Sequence, residues 1–224
     1  IWFSALLLFV GFFIVLSAAI ASGSKDSSAK LSDNTVLHLQ LNGIINDRRE
    51  PVDIMAQLQG NDVPAQSLNE IVGAIEKAAE DDKISGILID CSGSSAGMAQ
   101  RQAIYKALKD FRKNAADKWV YAYSDSYAQG DYLIAAAADS MFINPIGEVD
   151  IHGLSATTLY FKDLMDKLGV EAQVVKVGTY KSAVEPFLLN GMSEASREQQ
   201  QLYLGNIWNE FAGQIAECRN VSVD

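Results

Sequence analysis

One lysine stands where a strand-like run gives way to a turn. The block Val177-Gly178-Thr179-Tyr180-Lys181-Ser182-Ala183-Val184-Glu185-Pro186-Phe187 follows the β-like run 171–177 and precedes a long helical pattern that begins near Ser193. Gly178 permits a tight backbone path, and Pro186 is expected to end a helix attempt after one turn. With Tyr180, Ala183, Val184 and Phe187 around it, Lys181 can be partly desolvated, and desolvation disfavours the ammonium form. A neutral lysine amine can take the proton of a serine hydroxyl, the arrangement that Ser–Lys hydrolases use. The same residue also reads as a solvated loop lysine, the usual place for lysines. The residues by themselves leave both readings open.

Other chemistries are poorly supplied. A Ser-His-Asp triad would need His38 or His152, and His152 beside Asp150 in a Gly-flanked segment is the better placed. His38 lies inside a strand-like run and reads as a histidine on one strand face. Two histidines and no cysteine pair at ligand spacing give poor support for a metal site. Asp125, Asp131, Glu148 and Glu185 are read as solvated or structural carboxylates. Cys91 and Cys218 make no disulfide framework and read as buried free thiols. The small-residue loop 92–97, between a strand-like run and a helix start, can cradle an anion or oxyanion through backbone N–H groups. It also reads as an ordinary strand-to-helix turn, since neither dinucleotide nor Walker phosphate patterns are present.

The elements that must position these groups alternate. Residues 35–41 alternate in polarity and start β-branched, so a strand is expected there, followed by an Asn42-Gly43 turn. Residues 46–64 show no clean period and read as a loop with room for a short helix. Ser67 and Glu70 form a capping box for a helix ending near Asp81. Residues 84–91 are apolar with little alternation, as in a strand buried on both faces of a parallel sheet. A helix with Ile104, Leu108 and Phe111 on one face follows. Strands are expected at 119–124, 141–144 and 171–177, with a strand or turn at 147–154. Helices are expected at 129–139, at 159–168 with Gly169 as C-cap, and at 193–220 with Ser193 as N-cap and Tyr203, Ile207, Phe211 and Ile215 as its apolar stripe. Strands alternating with helices argue for βαβ units and a largely parallel sheet, an α/β fold.

The chain has 224 residues and a net charge of −10, which argues against nucleic acid as a partner. Residues 1–21 carry no charge, enough to span a hydrocarbon core of about 30 Å at ~1.5 Å per residue. Ala19-Ile20-Ala21 resembles a signal cleavage site, but the apolar run exceeds a signal h-region of about 7–15 residues, which favours an uncleaved anchor. The expected organisation is an anchor at 1–21, a flexible polar linker at 22–34, and one α/β domain at 35–224.

The lysine block, with Met192-Ser-Glu-Ala-Ser-Arg-Glu198 after it, resembles the lysine segment of the long-form bacterial signal peptide peptidases, the protease IV family. The likeness extends upstream through Tyr127-Ala-Gln-Gly-Asp-Tyr132 and Gly147-Glu-Val-Asp-Ile-His-Gly153. It implies a spiral α/β fold of the crotonase/Clp-protease type. It implies a serine endopeptidase with a Ser/Lys dyad, anchored in the bacterial inner membrane and facing the periplasm, which forms homo-oligomers and degrades cleaved signal peptides without a cofactor. By the same resemblance Lys181 is the general base. Family nucleophiles sit in an Ala-Ser-Gly-Gly-Tyr-like turn, and Gln129 occupies that position here. The chain is therefore expected to be the anchor and first domain of a longer protein whose second domain brings the serine. Two other classes stay in view: a catalytically silent scaffold domain, suggested by Gln129, and a crotonase-like acyl-CoA enzyme, suggested by the shared fold alone.

Overall fold

The structure is a computed structural model that describes residues 31–49, 65–91, 93–175, 177–178 and 180–223. The chain divides into two compact units, Ile1–Asp33 and Asn34–Asp224. The anchor expected at 1–21 lies outside the described residues, as does most of the linker. Among the described residues no helix is long and apolar enough to cross a membrane.

The second unit is an α/β fold built on parallel strands. Four strands form the main sheet in the order β1 (Thr35–Gln40), β4 (Ile84–Asp90), β6 (Trp119–Ser124), β8 (Ser140–Ile143), all parallel. Short strands make two smaller parallel sheets. In one, β2 (Gly43–Asn46) lies between β3 (Gln66–Ser67) and β5 (Ser94–Ser95); in the other, β7 (Tyr127–Ala128) pairs with β9 (Val149–Asp150). The helices are α1 (Leu68–Glu80), α2 (Met98–Asn114), α3 (Gln129–Ala136), α4 (Lys162–Leu168), α5 (Glu185–Leu188) and α6 (Glu194–Arg219). The chain thus repeats one unit, a long strand, a short strand and a helix: β4–β5–α2, then β6–β7–α3. The short strand turns the chain away from the sheet and delivers it to the start of the helix.

The sheet buries one face. Ile87, Ile89, Val120 and Ala122 are sealed against Ile71 and Ile75 of α1, Ile104, Leu108 and Phe111 of α2, and Leu133 and Ile134 of α3. The other face carries His38, Tyr121, Tyr123 and Phe142, all exposed. β4 is therefore not covered on both sides: Leu88 and Asp90, on the open face, are only half-buried. Its poor alternation comes from Gly86, where a side chain would collide with the Trp119 indole on the neighbouring strand.

Other local expectations changed for non-local reasons. Ser67 is the N-cap of α1 but makes no side-chain cap bond, and Glu70, the other half of the expected capping box, pairs with Arg49 at 3.0 Å. The strand expected at 171–177 is not formed among its described residues. Val175 and Val177 are 99% and 80% exposed, so their β-branched side chains meet no sheet. A strand is stable only against a neighbour that takes up its backbone groups and side chains. The helix expected from 159 starts at Lys162 and ends at Gly169 with φ 67°, the left-handed cap its position suggested. α6 begins after Ser193, whose Oγ accepts the Ser196 N–H at 3.1 Å. Its C-terminal half packs down through Phe211 and Ala216, Ser196 is buried in its first turn, and Tyr203 of the expected stripe is exposed.

Candidate functional site

Lys181 lies at the start of a tight turn. Gly178 adopts φ 100°, a left-handed path that favours glycine, and a 3₁₀ turn at Ser182–Val184 runs directly into α5. Pro186 does not stop a helix here. It sits in the first turn of α5, where the missing N–H costs no helical bond. Lys181 is exposed and, among the described residues, has no hydrogen-bond or ion-pair partner. Tyr180 and Phe187 are also exposed, so this surface leaves the amine in water.

The turn is fastened on both sides to the start of α6. Before the lysine, the Tyr180 hydroxyl donates to Glu198 Oε2 at 3.1 Å, and that bond raises the Tyr180 phenol above its ordinary range. After the lysine, Glu185 is buried at 2% exposure. Its Oε1 accepts the Ser193 hydroxyl at 2.6 Å and its Oε2 the Ser193 N–H at 3.2 Å. The Phe161 N–H donates to the Pro186 carbonyl at 2.7 Å, and the Phe161 and Phe187 rings stack, which ties α4 to α5.

Gln129 is the first residue of α3, at the turn after β7. Its side-chain carbonyl accepts two consecutive backbone N–H groups, His152 at 3.2 Å and Gly153 at 2.9 Å, while its amide nitrogen donates to the Gly153 carbonyl at 3.3 Å. The residue is a clamp between the head of α3 and the segment after β9. An amide has no nucleophilic oxygen to offer, and its polar atoms are already engaged. His152 Nδ1 lies 3.1 Å from Asp150 Oδ1, both exposed. The His152–Asp150 pair is thus present, but the bonds Gln129 makes to this segment go to its backbone and not to the imidazole. His38 stands alone on the exposed sheet face.

Beneath this turn is a buried polar group that sequence reading passed over. Ser94 Oγ donates to Asp131 Oδ1 at 2.8 Å; Arg101 Nη2 donates to the Ser94 carbonyl at 2.8 Å and lies 3.7 Å from the same carboxylate. A side chain at Gly130 would collide with the Arg101 guanidinium, so glycine lets the arginine pass under the head of α3. The spacing of Gly130 and Asp131 was the available signal, a glycine followed by an acid in the first turn of a helix. Asp131 and Asp90 also border a cavity of about 260 Å³ at the carboxyl ends of β4 and β6, with Asp125 on its rim. Burial, then Asp131 and Asp90, push the Cys91 thiol far up, so it stays protonated and unreactive. Cys218 is half-buried against the Tyr105 hydroxyl at 3.1 Å.

The 92–97 loop is an ordinary joint in its described part. The Gly97 N–H is taken by Gln100 Oε1 at 2.8 Å, and Ser94 faces a carboxylate, which repels an anion. Asp125 and Glu148 are exposed as expected, whereas Asp131 and Glu185 are buried. No group of three His, Cys, Asp or Glu among the described residues could hold a metal ion.

The chain is similar to known proteases. Protease 4 of Haemophilus influenzae is 41% identical over 96% of this chain, which covers 36% of that protein. Protease 4 of Salmonella typhi is 34% identical over 88% of the chain, covering 33% of that protein. A chloroplastic serine protease of Arabidopsis thaliana, SPPA, is 24% identical over 84% of the chain and 26% of its own length. The chain spans about a third of the length of the two Protease 4 relatives. Among solved structures, an enoyl-CoA hydratase/isomerase family protein from Silicibacter pomeroyi overlaps 85% of this chain and 89% of its own at 15% identity and a TM-score of 0.33, a likeness too loose to bear on the fold. The family model for Peptidase family S49 matches residues 112–224, the half that carries Gln129, Lys181 and Glu185. The chain belongs to peptidase family S49.

Proposed function

We propose that this chain is the lysine-bearing part of a membrane-anchored serine endopeptidase. Its fold is the crotonase/Clp-like spiral that the repeated strand–strand–helix unit suggests. Lys181 acts as the general base of a Ser/Lys dyad, and the nucleophilic serine comes from another part of the protein, since Gln129 holds the equivalent turn. Apolar peptides, cleaved signal peptides foremost, are the substrates, and the assembly is a homo-oligomer at the periplasmic face of the bacterial inner membrane. The observation that carries the reading is Lys181 itself: a lysine without a partner among the described residues, on a short turn fixed by Gly178 and by two bonds to the start of α6.

The chemistry follows from a neutral amine. Lys181 removes the serine proton as the oxygen attacks the scissile carbonyl, and the amine returns that proton to the leaving nitrogen. The acyl-enzyme is then hydrolysed by water that the same amine activates. Bringing a lysine from ~10.4 to the ~7–8 useful in a base takes about 3–5 kcal/mol of differential stabilisation. The exposed turn does not supply it, so a second surface has to close over Lys181 in the assembled enzyme. In the full-length protein, Lys181→Ala and Lys181→Arg should each lower cleavage of a quenched apolar peptide by roughly 10³-fold or more, with thermal unfolding near wild type. Near-normal turnover in either variant would remove Lys181 from the mechanism.

A scaffold role is the second reading, and Gln129 favours it: its three hydrogen bonds are those of a structural clamp. Full-length protein that binds peptide without cleaving it would select that reading.

A further inference from the structure

Between Gly153 and Ser193 the chain leaves the core. It contributes α4, with no buried residue, and long extended stretches whose apolar side chains face solvent. Among the described residues of 154–192 a single side chain is buried, and it is a carboxylate, Glu185. A carboxylate in that position needs a reason, because an apolar residue would be buried at far lower cost. Its surroundings supply one. Each oxygen takes one donor from Ser193, and the Ser193 hydroxyl passes its own acceptor capacity to the Ser196 N–H in the first turn of α6. The negative charge lies at the N-terminus of a 26-residue helix, where the helix dipole favours it. Four residues earlier in the chain is Lys181.

We propose that Glu185 is the positioning residue for Lys181. It pins the far end of the lysine turn to the head of α6, as Tyr180 and Glu198 pin the near end, so the amine is presented at a fixed point above a helix that is anchored in the core by Phe211. This rests on Lys181 being the base. The requirement is for a carboxylate and not merely a polar group. The carboxylate sets one oxygen on each Ser193 donor and brings the negative charge that the N-terminus of α6 favours, whereas a glutamine offers a single oxygen and no charge. Ionisable groups that share this surface are Tyr180 and Glu198, with Lys162 and Asp166 paired to each other on α4.

Loosening the turn lets water reach Lys181 in the assembled site, and water favours the ammonium form, so less amine is neutral at a given pH. The ascending limb of the pH–rate profile then moves to higher pH. In full-length enzyme, Glu185→Ala and Glu185→Gln should lower kcat on an apolar peptide by about 10- to 100-fold near neutral pH, with KM within about threefold, and recover much of it at high pH. Ser193→Ala should move the limb the same way by less, and Ser193→Thr, which keeps the hydroxyl, should stay near wild type. A purely structural loss lowers activity equally at every pH. An unmoved limb in both Glu185 variants, with Lys181→Ala inactive, would overturn the positioning role alone. Hydrolysis by Lys181→Ala would overturn the base reading and this proposal with it.

Discussion

Removing the Asp131 carboxylate should be among the most damaging single changes outside the apolar core. The side chain is 4% exposed, and Arg101 opposite is 19% exposed. Asp131→Ala strands the Ser94 hydroxyl, at a cost of about 1–3 kcal/mol for a buried donor left unmade. It also leaves the guanidinium, whose Nε already lacks a partner, without its counter-charge. Breaking a buried pair costs about 3–5 kcal/mol in total. The 3.7 Å separation and the residual exposure of Arg101 point to the lower end, about 3 kcal/mol. For a domain of this size that is a fall in melting temperature of about 6–12 °C. Asp131→Asn keeps an oxygen for Ser94 and should cost about 1–2 kcal/mol. The assay is thermal and urea unfolding followed by far-UV circular dichroism, with Arg101→Met and the double variant completing a cycle. A loss below about 1 kcal/mol in Asp131→Ala, or additive effects in the cycle, would show that the contact does not hold the head of α3 in place.

Two further outcomes follow from the same region. Gln129→Ala leaves the His152 and Gly153 N–H groups without their acceptor; it should cost about 1 kcal/mol and speed hydrogen exchange at the Gly153 amide, measured by mass spectrometry, and unchanged exchange there would contradict the clamp. Cys91 should resist alkylation in the folded protein: its thiol is raised by burial and by Asp131 and Asp90, so raising the pH through the ordinary thiol range of about 8–9 does not produce thiolate at this site. Iodoacetamide at mildly alkaline pH should label Cys91 only after urea is added, and labelling at the unfolded rate without urea would refute it.

Periodicity placed most elements because it reports a local cause. Thr35–Gln40, Trp119–Ser124 and the faces of α1 and α2 follow from which residues must meet the core. The failures have a common root in partners that are distant in sequence. Residues 171–177 have the composition of a strand, but their described residues pair with no neighbour among the described residues. Glu70 fits a capping box, yet it pairs with Arg49. Asp131 and Glu185 look like surface acids until Ser94, Arg101 and Ser193 are folded around them. Lys181 was legible as part of a motif, and Gln129 as an amide at the start of a helix. The clamp that Gln129 makes was not legible, since the N–H groups it accepts lie more than twenty residues on.

The order of strands in the main sheet has a consequence for how the protein is made. Thr35 at the start of β1 pairs in parallel with Ile84, and between them the chain must complete β2, β3 and α1. At a synthesis rate of about 5–20 residues per second, β1 waits roughly 2–10 s for its neighbour. Every strand pair among the described residues is parallel, so no hairpin can shelter β1 in the meantime. Its alternation of Val36, His38 and Gln40 with Leu37 and Leu39 keeps the waiting strand half polar. The central pair β4 and β6, joined through α2, forms a contact of shorter sequence separation, and β1 docks on a surface already built.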